Sequence, residues 1–147
     1  MKDRIRPPKD LEEVLDKLKD DKVFDTKQKG MMFASAVGYS LHRDKVDSTE
    51  IDQLGEGIRL EYFESQDDVG FIDALAVATR KELDVVASER QEERVELFQK
   101  YAFLGLKEMK RVCYDEKPEY PLFGVLKLID QIERPESGDL PGLEGLL

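Results

Sequence analysis

The stretch Phe24 to Arg43 reads FDTKQKGMMFASAVGYSLHR, and small residues recur in it every four positions, at Gly30, Ala34 and Gly38. A helix turns once every 3.6 residues, so that spacing keeps all three on one side. Each glycine inside a helix costs about 0.5–1 kcal/mol relative to alanine. A helix with two of them therefore gains something in return: close approach of another backbone or of a ligand. Phe33, Val37 and Leu41 share a neighbouring face, and Met31 and Met32 add adaptable apolar bulk. Between Met31 and Leu41 the segment is apolar around most of its circumference, which predicts a central helix contacted on several sides. Thr26 is its natural N-cap, with Phe24 placed to pack on the first turn. The helix is too short to span a bilayer. Close packing, within the chain or across a dimer, accounts best for Gly30, Ala34 and Gly38.

The rest of the chain reads as further helices with little sheet. Arg4-Ile5-Arg6 is extended and stopped by Pro7-Pro8. Asp10 and Glu13 have capping-box spacing, and Leu11, Val14, Leu15 and Leu18 then mark an amphipathic helix over about 10–20. After Gly55-Glu56-Gly57, the segment Ile58 to Phe63 alternates apolar and charged residues and predicts a short strand. An N-cap between Ser65 and Asp68 precedes a helix carrying Phe71, Ile72, Leu75, Ala76 and Thr79. Leu83-Asp84-Val85-Val86 suits a strand or an extended connection equally. Ser88 and Gln91 form a second capping-box pattern, opening a long helix to about Val112. Its inner face is Val95, Phe98, Ala102, Gly105, Met109 and Val112, flanked by Leu97, Tyr101 and Leu104. Gly105 invites the same explanation as Gly38, which makes these two helices candidates to cross. A last helix on Leu122, Phe123, Leu126, Ile129 and Ile132 ends at Pro135, before the tail SGDLPGLEGLL. These elements predict a mainly α, compact helical single domain over 1–133 with one or two short strands, and a flexible tail over 134–147.

At 147 residues the chain is long enough to bury roughly two-thirds of its unfolded surface in one core. Its net charge of −10 argues against indiscriminate nucleic-acid binding. The charge is uneven. Residues 1–45 hold 11 Lys/Arg against 9 Asp/Glu, and the remaining 102 hold 12 against 24. Any DNA-facing surface is therefore expected in the first third, in Arg4, Arg6 and Lys9, in Lys27 and Lys29 at the start of the second helix, and in Arg43 and Lys45 beyond its end. A helix N-terminus beside lysines can receive a phosphate. An arginine-alternating strand ahead of two helices is also the order used by β-ribbon DNA readers, which pair strands across a dimer.

No pattern recommends catalysis or a metal. His42-Arg43-Asp44 copies the opening of a kinase catalytic loop but lacks the glycine-rich loop and the Asp-Phe-Gly that give it meaning. The chain has one histidine and one cysteine, His42 and Cys113, far apart in sequence, so neither a zinc site nor a Cys–His nucleophile is supported. Adjacent carboxylates such as Glu12/Glu13 and Asp67/Asp68 point about 100° apart on a helix and do not face each other. No phosphate-binding glycine loop or nucleophile elbow is present. A lone cysteine, no apolar run of spanning length and an N-terminal MKDRIRPPKD without a signal-like core together predict a cytoplasmic protein with no cofactor.

RIRPPKDLEEVLDKLKDD, FDTKQKGMMFASAVGYSLHR, GEGIRLEYF, DDVGFIDALAVA and EERVELFQKYAFLGLKEM together resemble the accessory family associated with DNA phosphorothioation (Dnd) systems. More remotely they resemble the small DndE proteins of the same systems, whose helical core is related to ribbon–helix–helix modules. The resemblance covers about 4–112 and leaves 114–133 as a helical extension. It implies a non-catalytic component of a sulfur-based DNA modification or restriction system serving phage defence. Such a protein works in complexes, can self-associate, and meets DNA through basic residues at the places held here by Lys27, Lys29, Arg4 and Arg6. The acidic balance leaves a second class open, a protein-interaction regulator with no nucleic-acid contact, for which the leucines of DLPGLEGLL speak.

Overall fold

The computed structural model describes residues 3–134. Six α-helices and one two-stranded antiparallel ribbon occur among them, a mainly α fold. Strand β1 (Arg4–Ile5) leads through a 3-10 turn (Lys9–Leu11) into α1 (Glu12–Asp20), and α2 spans Lys27–His42. Strand β2 (Ile58–Arg59) runs directly into α3 (Leu60–Ser65), followed by α4 (Val69–Arg80), α5 (Gln91–Lys110) and α6 (Pro121–Glu133). The tail expected from 134 onward lies, Arg134 apart, outside the described residues.

Helices α2 and α5 are the axis of the fold. A Cβ added at Gly38 would lie 2.0 Å from the Tyr101 carbonyl oxygen, and one at Gly105 would lie 1.7 Å from that of Ala34. The two backbones touch with no side chain between them. Gly30 differs, because an added Cβ would meet side chains alone, the Leu15 Cδ2 methyl of α1 at 3.0 Å and the Phe24 ring at 3.9 Å. Around the crossing, Val95, Leu97, Phe98, Tyr101, Ala102, Leu104, Leu106 and Met109 are buried, so α5 is enclosed on nearly every side. Helices α3 and α4 pack onto it edge-on through Phe63 and Phe71, whose ring centroids lie 5.9 and 6.4 Å from that of Phe98.

Thr26 caps α2, its Oγ1 accepting the Lys29 N–H at 3.1 Å. Neither capping box forms. Asp10 sits inside the 3-10 turn that precedes α1, and Ser88 inside another that precedes α5, so neither occupies the residue before its helix. The predicted strand from Ile58 stops after Arg59. Leu60 and Phe63, three apart, bury together and wind the following residues into α3. Leu83–Val86 is neither strand nor extended but a 3-10 turn. It is held by Arg94, which donates to the Val85 and Ala87 carbonyls at 2.7 Å each and pairs with Asp73 at 2.9 Å.

Beyond Lys110 the helix widens into a π turn, Arg111–Asp115. Helix α6 then folds back onto it with Pro121 in its first turn. Gly124 makes this seat: an added Cβ would lie 2.5 Å from the Val112 carbonyl oxygen.

Candidate functional site

Pro7-Pro8 holds the preceding residues extended, and β1 finds its partner inside the chain. Arg4 pairs with Arg59 and Ile5 with Ile58. Side chains alternate along a strand, so the fully buried Ile5 points inward and the exposed Arg4 and Arg6 point outward. The Leu60 N–H donates to the Asp3 carbonyl at 2.8 Å. That makes 3 and 60 a hydrogen-bonded pair and leaves Arg4 and Arg59 at the adjacent non-bonded position, where opposed side chains come closest.

Loop 54–57 positions the guanidinium groups. Arg6 Nε donates to the Gly55 carbonyl at 2.8 Å, and Arg4 Nη1 to the Gly57 carbonyl at 3.2 Å. A Cβ on Gly57 would lie 2.7 Å from the Arg4 Cβ, so this glycine is what lets the arginine stem lie against the loop. From below, the buried Gln99 of α5 accepts the Arg6 backbone N–H at 2.7 Å. An open cleft of about 730 Å³ results, with Asp3, Arg4, Arg6, Glu56 and Gln99 on its walls. A second cleft of about 470 Å³ shares Asp3 and Arg4 and adds Arg59, Glu61 and Glu64. Arg4 is thus the ridge between two clefts that present three guanidinium groups among four carboxylates. Arg59 has one of those carboxylates, Glu61, at 3.2 Å.

The seven predicted basic residues do not form one patch. Arg4 and Arg6 share the ribbon, and Lys9 follows it, exposed, with its backbone N–H on the Gln53 carbonyl at 2.9 Å. Lys27 lies near the same loop, but its ammonium is paired with Asp16 at 2.6 Å, and that bond raises its pKa against the opposing effect of burial. Lys29 is exposed at the start of α2. Arg43 and Lys45 belong to the other end of that 16-residue helix, roughly 24 Å away. Arg43 lies over the Tyr39 ring, 5.3 Å from its centroid. Arg59 escaped the sequence reading. Its signal was the alternation after Gly57, which places it across from Arg4 once the strands are paired.

The groups with chemistry elsewhere are occupied structurally. His42 Nε2 meets Glu108 Oε1 at 3.0 Å, and Glu108 also receives Arg111 at 2.7 Å, so this cluster ties the end of α2 to the end of α5. The Cys113 thiol is buried in the π turn, and burial pushes its pKa up to about 11. It is a small hydrophobe, not a nucleophile. Among the described residues no three of His, Cys, Asp and Glu are grouped to hold a metal ion. None of the helices there is long and apolar enough to cross a membrane.

A family model described as "DNA sulphur modification system-associated protein 4" matches residues 4–138. The chain belongs to that family. The match runs from β1 through α6, so the last helix and the seat it makes on the π turn lie within the family's extent. The family's description names an association with a DNA sulphur modification system and no reaction. No curated protein and no solved structure matches the chain.

Proposed function

We propose that this protein is a non-catalytic accessory or scaffolding component of a cytoplasmic DNA sulfur modification or restriction system acting in phage defence. It is held in the complex by protein contacts and touches the DNA backbone through the arginine ribbon. Membership of the system-associated family supports the accessory role. The observation that carries the DNA contact is Arg4 facing Arg59 across the ribbon. Like charges directly opposite each other in a ribbon are unfavourable by themselves, and a phosphate between them relieves the repulsion. Carboxylates around the site and a net charge of −10 keep the intrinsic affinity low. A protein held beside DNA by partners gains from effective concentration what its own contacts lack.

Fluorescence anisotropy with duplex, nicked and single-stranded DNA tests this directly. Three phosphate contacts give a loss of affinity of about 40-fold between roughly 50 and 200 mM salt. Replacing both arginines in Arg4→Gln/Arg59→Gln lowers the salt slope by about 2. Absence of binding to every DNA form at low salt removes the DNA contact. The second reading then stands, a purely protein-binding regulator, favoured by the acidic charge and by the exposed apolar side chains of α6.

A further inference from the structure

Helix α6 has two apolar faces. Val125 and Leu128 are buried, and Gly124 seats the helix on the π turn. On the outer side Tyr120, Leu122, Phe123 and Leu126 are 57, 47, 48 and 51% exposed. Leu122 and Phe123 precede Leu126 by four and three positions, so the three lie together on the helix surface. The rings of Tyr120 and Phe123 meet edge-on with centroids 5.3 Å apart, which holds both in place. Other exposed apolar side chains, such as Tyr62 and Leu83, stand apart from this group in sequence and element. Large side chains carry about 150–250 Å² each, so four of them half-exposed leave on the order of 400 Å² of apolar surface, the size of the largest patch on a typical monomer, which is often functional.

We propose that this outer face of α6 is the docking surface for a basic protein component of the DNA sulfur modification system, which receives it in an apolar groove rimmed by lysine and arginine. The inference rests on the accessory reading above and not on the DNA contact. Charge selects this occupant over a second copy of the chain: two copies, each with a net charge of −10, repel, whereas a basic partner is drawn in. Within the segment 115–134, Asp115, Glu116 and Asp130 are paired with Lys110, Arg111, Lys127 and Arg134, so the attraction for a basic partner comes from the charge of the chain as a whole. Rigid aromatic anchors at the centre of an apolar patch are the residues that dominate binding energy at interfaces.

The test measures binding of the full-length chain to each purified protein component of the system by calorimetry, in wild type, Phe123→Asp/Leu126→Asp and Leu143→Asp/Leu146→Asp. Thermal unfolding checks that each variant folds. The milder Tyr120→Ser replaces the first variant should that one fail to fold. The expected result is a tenfold or greater loss of affinity for the α6 variant, weaker binding at higher salt, and no change for the tail variant. Equal binding by wild type and the α6 variant overturns the surface while leaving the accessory role intact. Loss in the tail variant alone assigns the contact to the last residues instead. Self-association in sedimentation that the α6 variant abolishes makes the occupant a second copy. Binding of no component to wild type removes the accessory reading as well.

Discussion

A methyl group at Gly105 would sit 1.7 Å from the Ala34 carbonyl oxygen, and one at Gly38 2.0 Å from that of Tyr101. Both obstacles are backbone, so they move only if the helices separate. Gly38→Ala and Gly105→Ala each cost about 1–3 kcal/mol or more in urea unfolding, the range for overfilled cores. Gly30→Ala is the control. Its neighbour is the end of the Leu15 side chain, which can rotate away, and the gain in helix propensity of about 0.5–1 kcal/mol offsets the adjustment. The spacing of four was therefore readable at Ala34 and Gly38, but it could not separate Gly30, whose outlook differs through a different partner helix. Cys113 gives a second test at this scale. With the thiol buried and its pKa raised to about 11, a maleimide labels it only as fast as the protein opens. Labelling of the native state within seconds would mean that the π turn is open.

Elements were legible where a stripe of apolar residues ran long and poorly legible where the pattern was short. The inner face of α5 is buried over its whole length because twenty residues repeat one period many times. Ile58 to Phe63 is short enough to fit both periods, and burial of Leu60 with Phe63 decides for a helix. The capping signals divide in the same way. Thr26 stands where the chain enters α2 from an extended conformation, and its Oγ1 accepts the Lys29 N–H; Thr26→Ala costs about 1 kcal/mol. Ser88→Ala should cost no more than a few tenths, since its hydroxyl caps nothing at the start of α5. Leu83–Val86 owes its turn to Arg94, whose side chain is only 11% exposed. Arg94→Ala leaves the Val85 carbonyl and Asp73 without their donor, while the Ala87 carbonyl keeps the Arg90 N–H, and costs about 2–4 kcal/mol. Amide exchange should quicken first over 83–87.

At the scale of the whole molecule, charge decides the response to pH. Hydrogen bonds from Arg90 and then Arg80 hold the Glu93 carboxyl below its ordinary range. Burial pushes Glu108 upward, but bonds from Arg111 and His42 outweigh it and the net shift is downward. A carboxylate with a depressed folded pKa contributes stability above its unfolded value, about 4.3, and loses it as pH falls through the folded one. Stability therefore drops below about pH 4.3, and Glu108→Gln flattens that acid limb in urea titrations while lowering stability at neutral pH. Cys113 acts at the other end: its unfolded thiol ionises near 8.5 while the folded one stays protonated, so stability declines as pH rises from there towards 11. The in-chain pairing of β1 with β2 was not legible, because no local signal links Arg4 to Arg59, 55 positions on, and Arg59 stayed hidden with it. The π turn at Arg111–Asp115 was equally silent, and its Val112 and Cys113 backbone is the surface on which α6 rests. One residue there is surplus to an α-helical count, and each residue turns a helix by about 100°. Deleting a single residue from that turn would restore the α-helical count, swing the Val112 carbonyl and the Cys113 N–H away from Gly124, and leave α6 without the ledge it rests on.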